Sequence, residues 1–347
     1  MNRRRFIEAL ALAGLGARAP ALLAQETRPL RRLLPEIVPA SRSIPVVDFH
    51  THLQRGISAE KLIEHMDFAD VRRMVLMPLY YGDAGGSVND GEGSDEQALD
   101  YARRYPDRFV PFCGMQRREL NNPGAWESGR DALRIVEETG AKLASGEFFG
   151  IGELMLRFYP YTNRFGIVAT SDMRYPVFSP TMRRFADLSA KYRAPMVIHA
   201  EAEPQVAEGM QHLLEAHPDA VVVWAHNCGR SSAAAITGMM TRYRNLHADL
   251  GGMVYSGPSV EHYGVYFPRR TEWMHLVVDN HGIVRSEMKA VFEKFPDRFV
   301  IGTDIAHARV YAIYGNHLPR WRSFFNQVST ATAHAIGWKN AERLVRG

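Results

Sequence analysis

Short apolar runs alternate with amphipathic stretches along most of the chain. Eight of the runs read as strands: Val46–His52, Met74–Leu79, Phe109–Met115, Phe149–Leu154, Met196–Ala200, Val221–His226, Leu246–Gly251 and Phe299–Asp304. They are short, bounded by turn-forming residues and apolar at consecutive positions, as strands buried on both faces are. The segments between them carry apolar residues at helical spacing. Ser58–Asp70 does so through Leu62, Ile63, Met66 and Phe68; Asp95–Tyr105, Ala125–Thr139, Thr181–Tyr192, Glu203–His217, Arg230–Arg244 and Glu287–Lys294 follow, and Ser323–Leu344 comes last. Strands alternating with helices predict a parallel sheet. Eight such units predict an α/β fold of the (β/α)8 TIM-barrel type, a closed parallel eight-stranded barrel with its chemistry at the C-terminal strand ends. An open doubly wound sheet competes, but the Gly-rich phosphate turn it usually carries after an early strand is absent. Three βα connections are long: 82–96, 157–180 and Gly252 to about Arg285. Loops of that length in a compact domain are usually functional.

The first 24 residues break the pattern. Arg3, Arg4 and Arg5 precede an apolar stretch from Ala9 to Ala17, and small residues follow up to Ala24. That is the anatomy of a signal peptide, and NRRRFI resembles a twin-arginine export signal. Residues 1–24 are therefore expected to engage the export machinery and leave a periplasmic or secreted protein, cleaved after Ala21 or Ala24. Residues 25–43, with three prolines, read as a linker or N-terminal arm, and 44–347 as the barrel domain. The formal charge of +4 falls to +1 without the leader, which carries Arg3, Arg4, Arg5 and Arg18 against Glu8. A near-neutral body makes no electrostatic claim on nucleic acid. No apolar run approaches the roughly 20 residues that span a bilayer. Whether the chain forms a homo-oligomer stays open. Cys113 and Cys228 fall on the third and sixth strands, nearly opposite in the ring, so free thiols are expected.

Candidate chemistry collects at the strand ends. In PVVDFHTHLQRG (45–56), side-chain alternation puts Asp48, His50 and His52 on one face, with Phe49 and Thr51 on the other. The fourth run ends GIGELML, placing Glu153 at its tip, and the fifth ends at His199. The sixth ends at His226 and the eighth at Asp304. Two carboxylates and four histidines at one barrel mouth need compensation, and a divalent cation supplies it. Taken singly, each of these residues has a plainer reading as a hydrogen-bonded strand end or a helix cap.

The ordered set HxH, Glu, His, His, Asp on strands one, four, five, six and eight resembles the amidohydrolase superfamily of metal-dependent hydrolases. YPDRFVPFCGM, APMVIHAE, HPDAVVVWAHNCG, KFPDRFVIGTD and the terminal NAERLV are similar to its amidohydrolase-related branch. The resemblance implies that His50, His52 and Asp304 hold the more buried metal, and that His199 and His226 hold a second ion or share the first with solvent. Zinc is the expected metal, as one ion or two, with manganese or iron as alternatives. Many relatives bridge two ions with a carboxylated lysine on strand four. Lys142 lies too early for that, and Glu153 stands there instead, as in TatD-like nucleases.

The activity implied is hydrolysis of a small organic ester, lactone or amide bearing a carboxylate, with Asp304 as general base then acid and His226, if it is not a ligand, polarising the electrophile. A non-oxidative decarboxylase with one metal, or a TatD-like nuclease, are the alternatives. Asp48 is expected either to orient a ligand from behind or to be buried for structural reasons. Tyr80, Arg157, Arg230, Trp273 and His307 are candidate substrate contacts, since arginine suits a carboxylate and aromatic rings suit a flat apolar body.

Overall fold

The structure, a computed structural model, describes residues 44–80, 91–159, 172–254, 274–279 and 281–346. The leader, the arm, most of the three long loops and Trp273 lie outside these residues.

Each predicted strand is present, shortened or shifted at its ends. Strand one is split into Val47–Asp48 and His52–Leu53; strand two is Arg73–Pro78; strand three is split into Phe109–Pro111 and Cys113–Gly114. Strand four runs Ile151–Phe158, strand five Met196–Ala200, strand six Val222–Trp224, strand seven Leu246–Asp249 and strand eight Phe299–Val300. All neighbouring pairs in this series are parallel. A two-residue strand, Met173–Arg174, adds an antiparallel edge to strand four. The last strand meets the first: Phe49 N donates to Ile301 O at 3.0 Å, Asp304 N to His50 O at 2.8 Å and His52 N to Ile305 O at 2.9 Å. The ring of backbone pairing therefore runs from strand one round to strand one, and an open sheet is ruled out.

Alternation sorts the side chains into two layers. Val47, Phe49, Val75, Met77, Val110, Phe112, Val197, Val223 and Val300 fill the barrel interior, where the Phe49 and Phe112 rings meet edge to face at 5.7 Å. Met74, Leu76, Met196, Ile198, Val222 and their helix partners form the larger outer cluster. Ala341, Leu344 and Val345, near the end of the sequence, join the interior cluster and stop the barrel at its N-terminal end.

Helix starts follow local chemistry. Ser58, Ser94, Ser179 and Ser232 each accept a backbone N–H three residues on, and Pro180 takes the first helical position after Ser179. The segment read as one helix over Ala125–Thr139 is two, Pro123–Trp126 and Arg130–Ala144, because Ser128 (φ 67°) and Gly129 interrupt it. The helix expected from Arg230 begins only at Ala233. The last stretch is His317–Phe325, then Thr330–His334 capped by Ser329, a π turn at Ala335–Lys339 and Asn340–Leu344. Cys113 and Cys228 are buried free thiols, as expected, and burial pushes both thiols up. Among the described residues no helix is long and apolar enough to cross a membrane.

Candidate metal centre

The six side chains singled out in the sequence converge at the C-terminal mouth. Nε2 of His50 and Nε2 of His52 are 3.3 Å apart. Asp304 Oδ1 lies 3.5 Å from each of them. Glu153 Oε1 is 3.4 Å from His50 Nε2, and Oε2 is 3.6 Å from His52 Nε2. Bonds of 2.0–2.1 Å at tetrahedral angles set ligand atoms about 3.3–3.4 Å apart, so these separations have the size of a tetrahedral shell. A second group shares Glu153: Oε1 is 3.1 Å from His199 Nδ1 and 3.4 Å from His226 Nε2, and those two nitrogens are 2.8 Å apart. His50, His52, Glu153, His199 and His226 are buried, while Asp304 keeps about a quarter of its side chain exposed, 24 %, at the mouth.

Three of the four remaining ring nitrogens lie near an oxygen, while His52 Nδ1 is buried without a hydrogen-bond partner among the described residues. His226 Nδ1 is 2.9 Å from Gly251 O, His199 Nε2 is 3.3 Å from Glu201 Oε1, and His50 Nδ1 is 3.1 Å from Asp249 Oδ2. An imidazole whose far nitrogen carries its proton to an oxygen presents a lone pair at the near one, the form that binds a metal.

Charge within the cluster is heavily coupled. Burial alone raises the Glu153 carboxyl, but the His50 and His199 imidazoles overcome it and hold it well below the carboxylate range. The same contest sets Asp304 at about 2, with His226 and His52 prevailing over burial. Burial works against His50 and His199 as cations. Asp249 and Glu153 nevertheless hold His50 well above its ordinary value, and Glu153 takes His199 up to about 9. These acids demand a positive partner. A divalent cation bound by the same six groups would supply it.

Local backbone aims the ligands. Strand six ends at Trp224, and His226, Asn227, Cys228 and Gly229 then form a left-handed turn with φ of 55°, 56°, 56° and 63°. Such a conformation costs roughly 1–2 kcal/mol per non-glycine residue. It is held by His226 N on Asp249 Oδ1 (3.2 Å), Ala202 N on Gly229 O (2.9 Å) and His275 N on Arg230 O (2.7 Å). Backbone strain at a binding site persists when surrounding contacts determine it. Gly302 has a steric reason: a Cβ there would sit 2.6 Å from His50 Cβ.

Several expectations need correcting. Glu153 is not at a strand tip; it is the third residue of an eight-residue strand, and its length carries the carboxylate to the cluster. Asp48 does not orient a histidine. Its oxygens accept from Thr303 N at 3.0 Å, Thr303 Oγ1 at 2.9 Å and Tyr314 OH at 2.8 Å, so it fixes the residue beside Asp304. Burial raises this carboxyl to about 7 against those hydrogen bonds. Lys142, expected to lie too early for a bridging role, pairs instead with Asp95 at 2.7 Å.

The candidate substrate contacts are largely committed internally. Tyr80 accepts from Asp95 N at 3.0 Å and lies under the Arg117 guanidinium at 3.8 Å. Arg157, buried, clamps Glu203 at 2.9 Å and Asp172 at 2.6 Å. Arg230, also buried, pairs with Glu201, whose carboxyl is brought to about 2 by Arg230 and His199 in spite of burial. Arg157 is paired with two acids and Arg230 with a buried one, so both arginines have their counter-charge within the protein and build the walls. His307 is half-buried just past strand eight, and Trp273 lies outside the described residues.

Three contributors escaped the sequence reading: Asp249, Glu201 and Gln116, whose amide reaches Glu153 Oε2 at 2.8 Å. Asp249 ends strand seven and Glu201 follows His199 by two, so position at a strand end was the available signal.

Residues 47–347 match the family model described as Amidohydrolase. No curated protein matches. Among solved structures, an uncharacterized TIM-barrel protein from Bordetella bronchiseptica is similar at 14% identity, covering 87% of this chain and 99% of its own, with a TM-score of 0.54. A dihydroorotase from Campylobacter jejuni is 14% identical over 88% of this chain and 84% of its own, TM-score 0.50. A 2,6-dihydroxybenzoate decarboxylase with its ligand is 14% identical over 87% and 98%, TM-score 0.50. At such identities these likenesses speak to the fold.

Proposed function

The chain belongs to the amidohydrolase family, an enzyme of the metal-dependent superfamily, and from that premise we propose that it is a two-metal hydrolase of a small ester, lactone or amide carrying a carboxylate. One observation carries this reading: Glu153 Oε1 stands between the His50 side and the His199–His226 side of the cluster, at 3.4, 3.1 and 3.4 Å from their nitrogens. A single carboxylate within reach of both groups is suited to joining two cations. The nitrogen-rich donor set with carboxylates favours zinc.

A divalent ion held by His50, His52, Glu153, His199, His226 and Asp304 would supply Lewis acidity and lower the pKa of water to about 7. The chain's own residues do the rest. Asp304, partly open to the mouth, accepts the proton of the attacking water and returns it to the leaving group. Its position is fixed through Thr303, which Asp48 grips from below. The backbone and ring of His226 are set by Asp249 and Gly251, which turn Nε2 toward His199 and Glu153 as a ligand for the second ion. We further propose, on the pattern of Arg3, Arg4 and Arg5 before the apolar stretch from Ala9 to Ala17, that this chemistry takes place outside the cytoplasm.

Elemental analysis of protein purified without chelators, repeated on Glu153→Ala, tests the proposal together with a panel of esters, lactones and amides. Two ions per chain, falling to one or none in the variant, with hydrolysis of a panel member, is the expected outcome. One ion retained in Glu153→Ala, with CO2 released from a carboxylate substrate, would replace the hydrolase by a decarboxylase.

A further inference from the structure

The opposite end of the barrel carries a second concentration of charge. A cleft of about 490 Å³ is lined by Arg193, Arg244, His247, Asp297, Arg298 and Arg343. Arg193, Arg244 and Arg298 stand just before strands five, seven and eight, and His247 is the second residue of strand seven. The cleft therefore opens on the N-terminal face, away from the metal centre, where a barrel usually carries stabilising rather than catalytic residues.

Stability does not explain this set. Four guanidinium groups face one carboxylate, Asp297, and none of the four forms an ion pair among the described residues. Arg298 is mostly buried and held by carbonyls only, Nε on Leu246 O at 3.1 Å and Nη2 on Tyr243 O at 2.6 Å. Arg343 donates to the Asp297 carbonyl and, at 3.4 Å, to Asn340 Oδ1. Burial lowers Arg298 below the ordinary arginine value; Asp297 opposes this, and the neighbouring Arg343 and Arg244 charges add to it. His247 Nδ1 is buried without a hydrogen-bond partner among the described residues. Like charges gathered around a cleft, with an unmatched ring nitrogen beside them, lack a counter-charge that the protein does not provide.

We propose that this cleft binds a small multivalent oxyanion, a molecule bearing phosphate or several carboxylates. The planar fork of each arginine matches the edge of a phosphate or carboxylate, and convergent forks discriminate such anions from chloride. The site is independent of the hydrolase reading, since no lining residue belongs to the metal cluster.

Isothermal titration of the metal-loaded full chain with inorganic phosphate, and separately with tricarballylate, at ionic strength fixed by sodium chloride, tests this. Saturable one-to-one binding of either anion is expected, and which one binds names the class. Arg244→Gln with Arg343→Gln, both at exposed positions, is expected to weaken binding at least tenfold while metal content and circular dichroism stay unchanged. Arg244→Lys with Arg343→Lys, keeping charge but losing the forks, is expected to fall between. Absence of saturable binding in the parent, or unchanged affinity in the glutamine double variant, would overturn the proposal; the latter would place the anion at the metal mouth.

Discussion

Replacing Asp249 by asparagine isolates what an outer carboxylate does for the metal centre. Asp249 Oδ1 accepts from Gly251 N at 2.8 Å and His226 N at 3.2 Å, while Oδ2 lies 3.1 Å from His50 Nδ1. Asparagine keeps the first oxygen, so both backbone amides retain their acceptor. It turns an N–H toward His50 in place of the second oxygen. A donor facing His50 Nδ1 favours the tautomer protonated at Nε2, and that nitrogen then has no lone pair for a cation. Loss of such a partner typically lowers metal affinity 10–100-fold, which corresponds to about 1.4–2.7 kcal/mol. Zinc affinity would be measured by competition with a chromophoric chelator, and folding by thermal melts of the metal-free protein. The expected result is weaker zinc binding with a metal-free melting temperature close to the parent's. Equal zinc affinity in Asp249→Asn would refute the reasoning. A collapse of the metal-free melting temperature would show that the residue acts through the fold instead.

Other outcomes follow from the same geometry. Gly229→Ala meets both a φ of +63° and the Ala200 carbonyl at 2.1 Å from the new Cβ; destabilisation of roughly 3 kcal/mol or more is expected by urea denaturation. His247 is held at about 3 in the folded chain, by burial and by Arg298 and Arg343, against an ordinary 6.5. Between those values the unfolded chain binds a proton that the folded chain does not, so stability falls as pH drops through that window, by up to about 1.4 kcal/mol per unit. In chloride buffer His247→Gln should flatten that slope, and parallel curves for parent and variant would contradict it. Neither Cys113 nor Cys228 should react with Ellman's reagent until the chain is unfolded, since both are buried with raised thiol pKa values. For the leader, Arg4→Lys with Arg5→Lys should leave full-length protein in the cytoplasm by cell fractionation.

The barrel was legible because its signal is repetitive: eight apolar runs, each followed by a helical stripe, leave few alternatives. The ligand set was legible because histidine and acid fall at equivalent places in successive units. What escaped was tertiary in origin. Nothing local in VVVWAHNCG announces a left-handed turn after Trp224, since only Gly229 is built for positive φ and the other residues are held there by Asp249 and Ala202. The arginines near the end of strand four and after strand six read as substrate clamps because their partners Glu203, Asp172 and Glu201 lie elsewhere in the sequence or look like helix caps. Asp48 lay on the expected strand, but a break between Asp48 and His52 ended the alternation that would have aimed it at the histidines.

The meeting of strands one and eight has a consequence for how the protein comes into being. His50 and His52 are synthesised early, yet Asp304 and the Ala341–Val345 stopper emerge some 250 residues later. A ribosome-tethered chain can shape most of the ring, but no partial product has a complete grip on a cation. Completion of the six-residue cluster is thereby a late event, reached only when strand eight has found strand one.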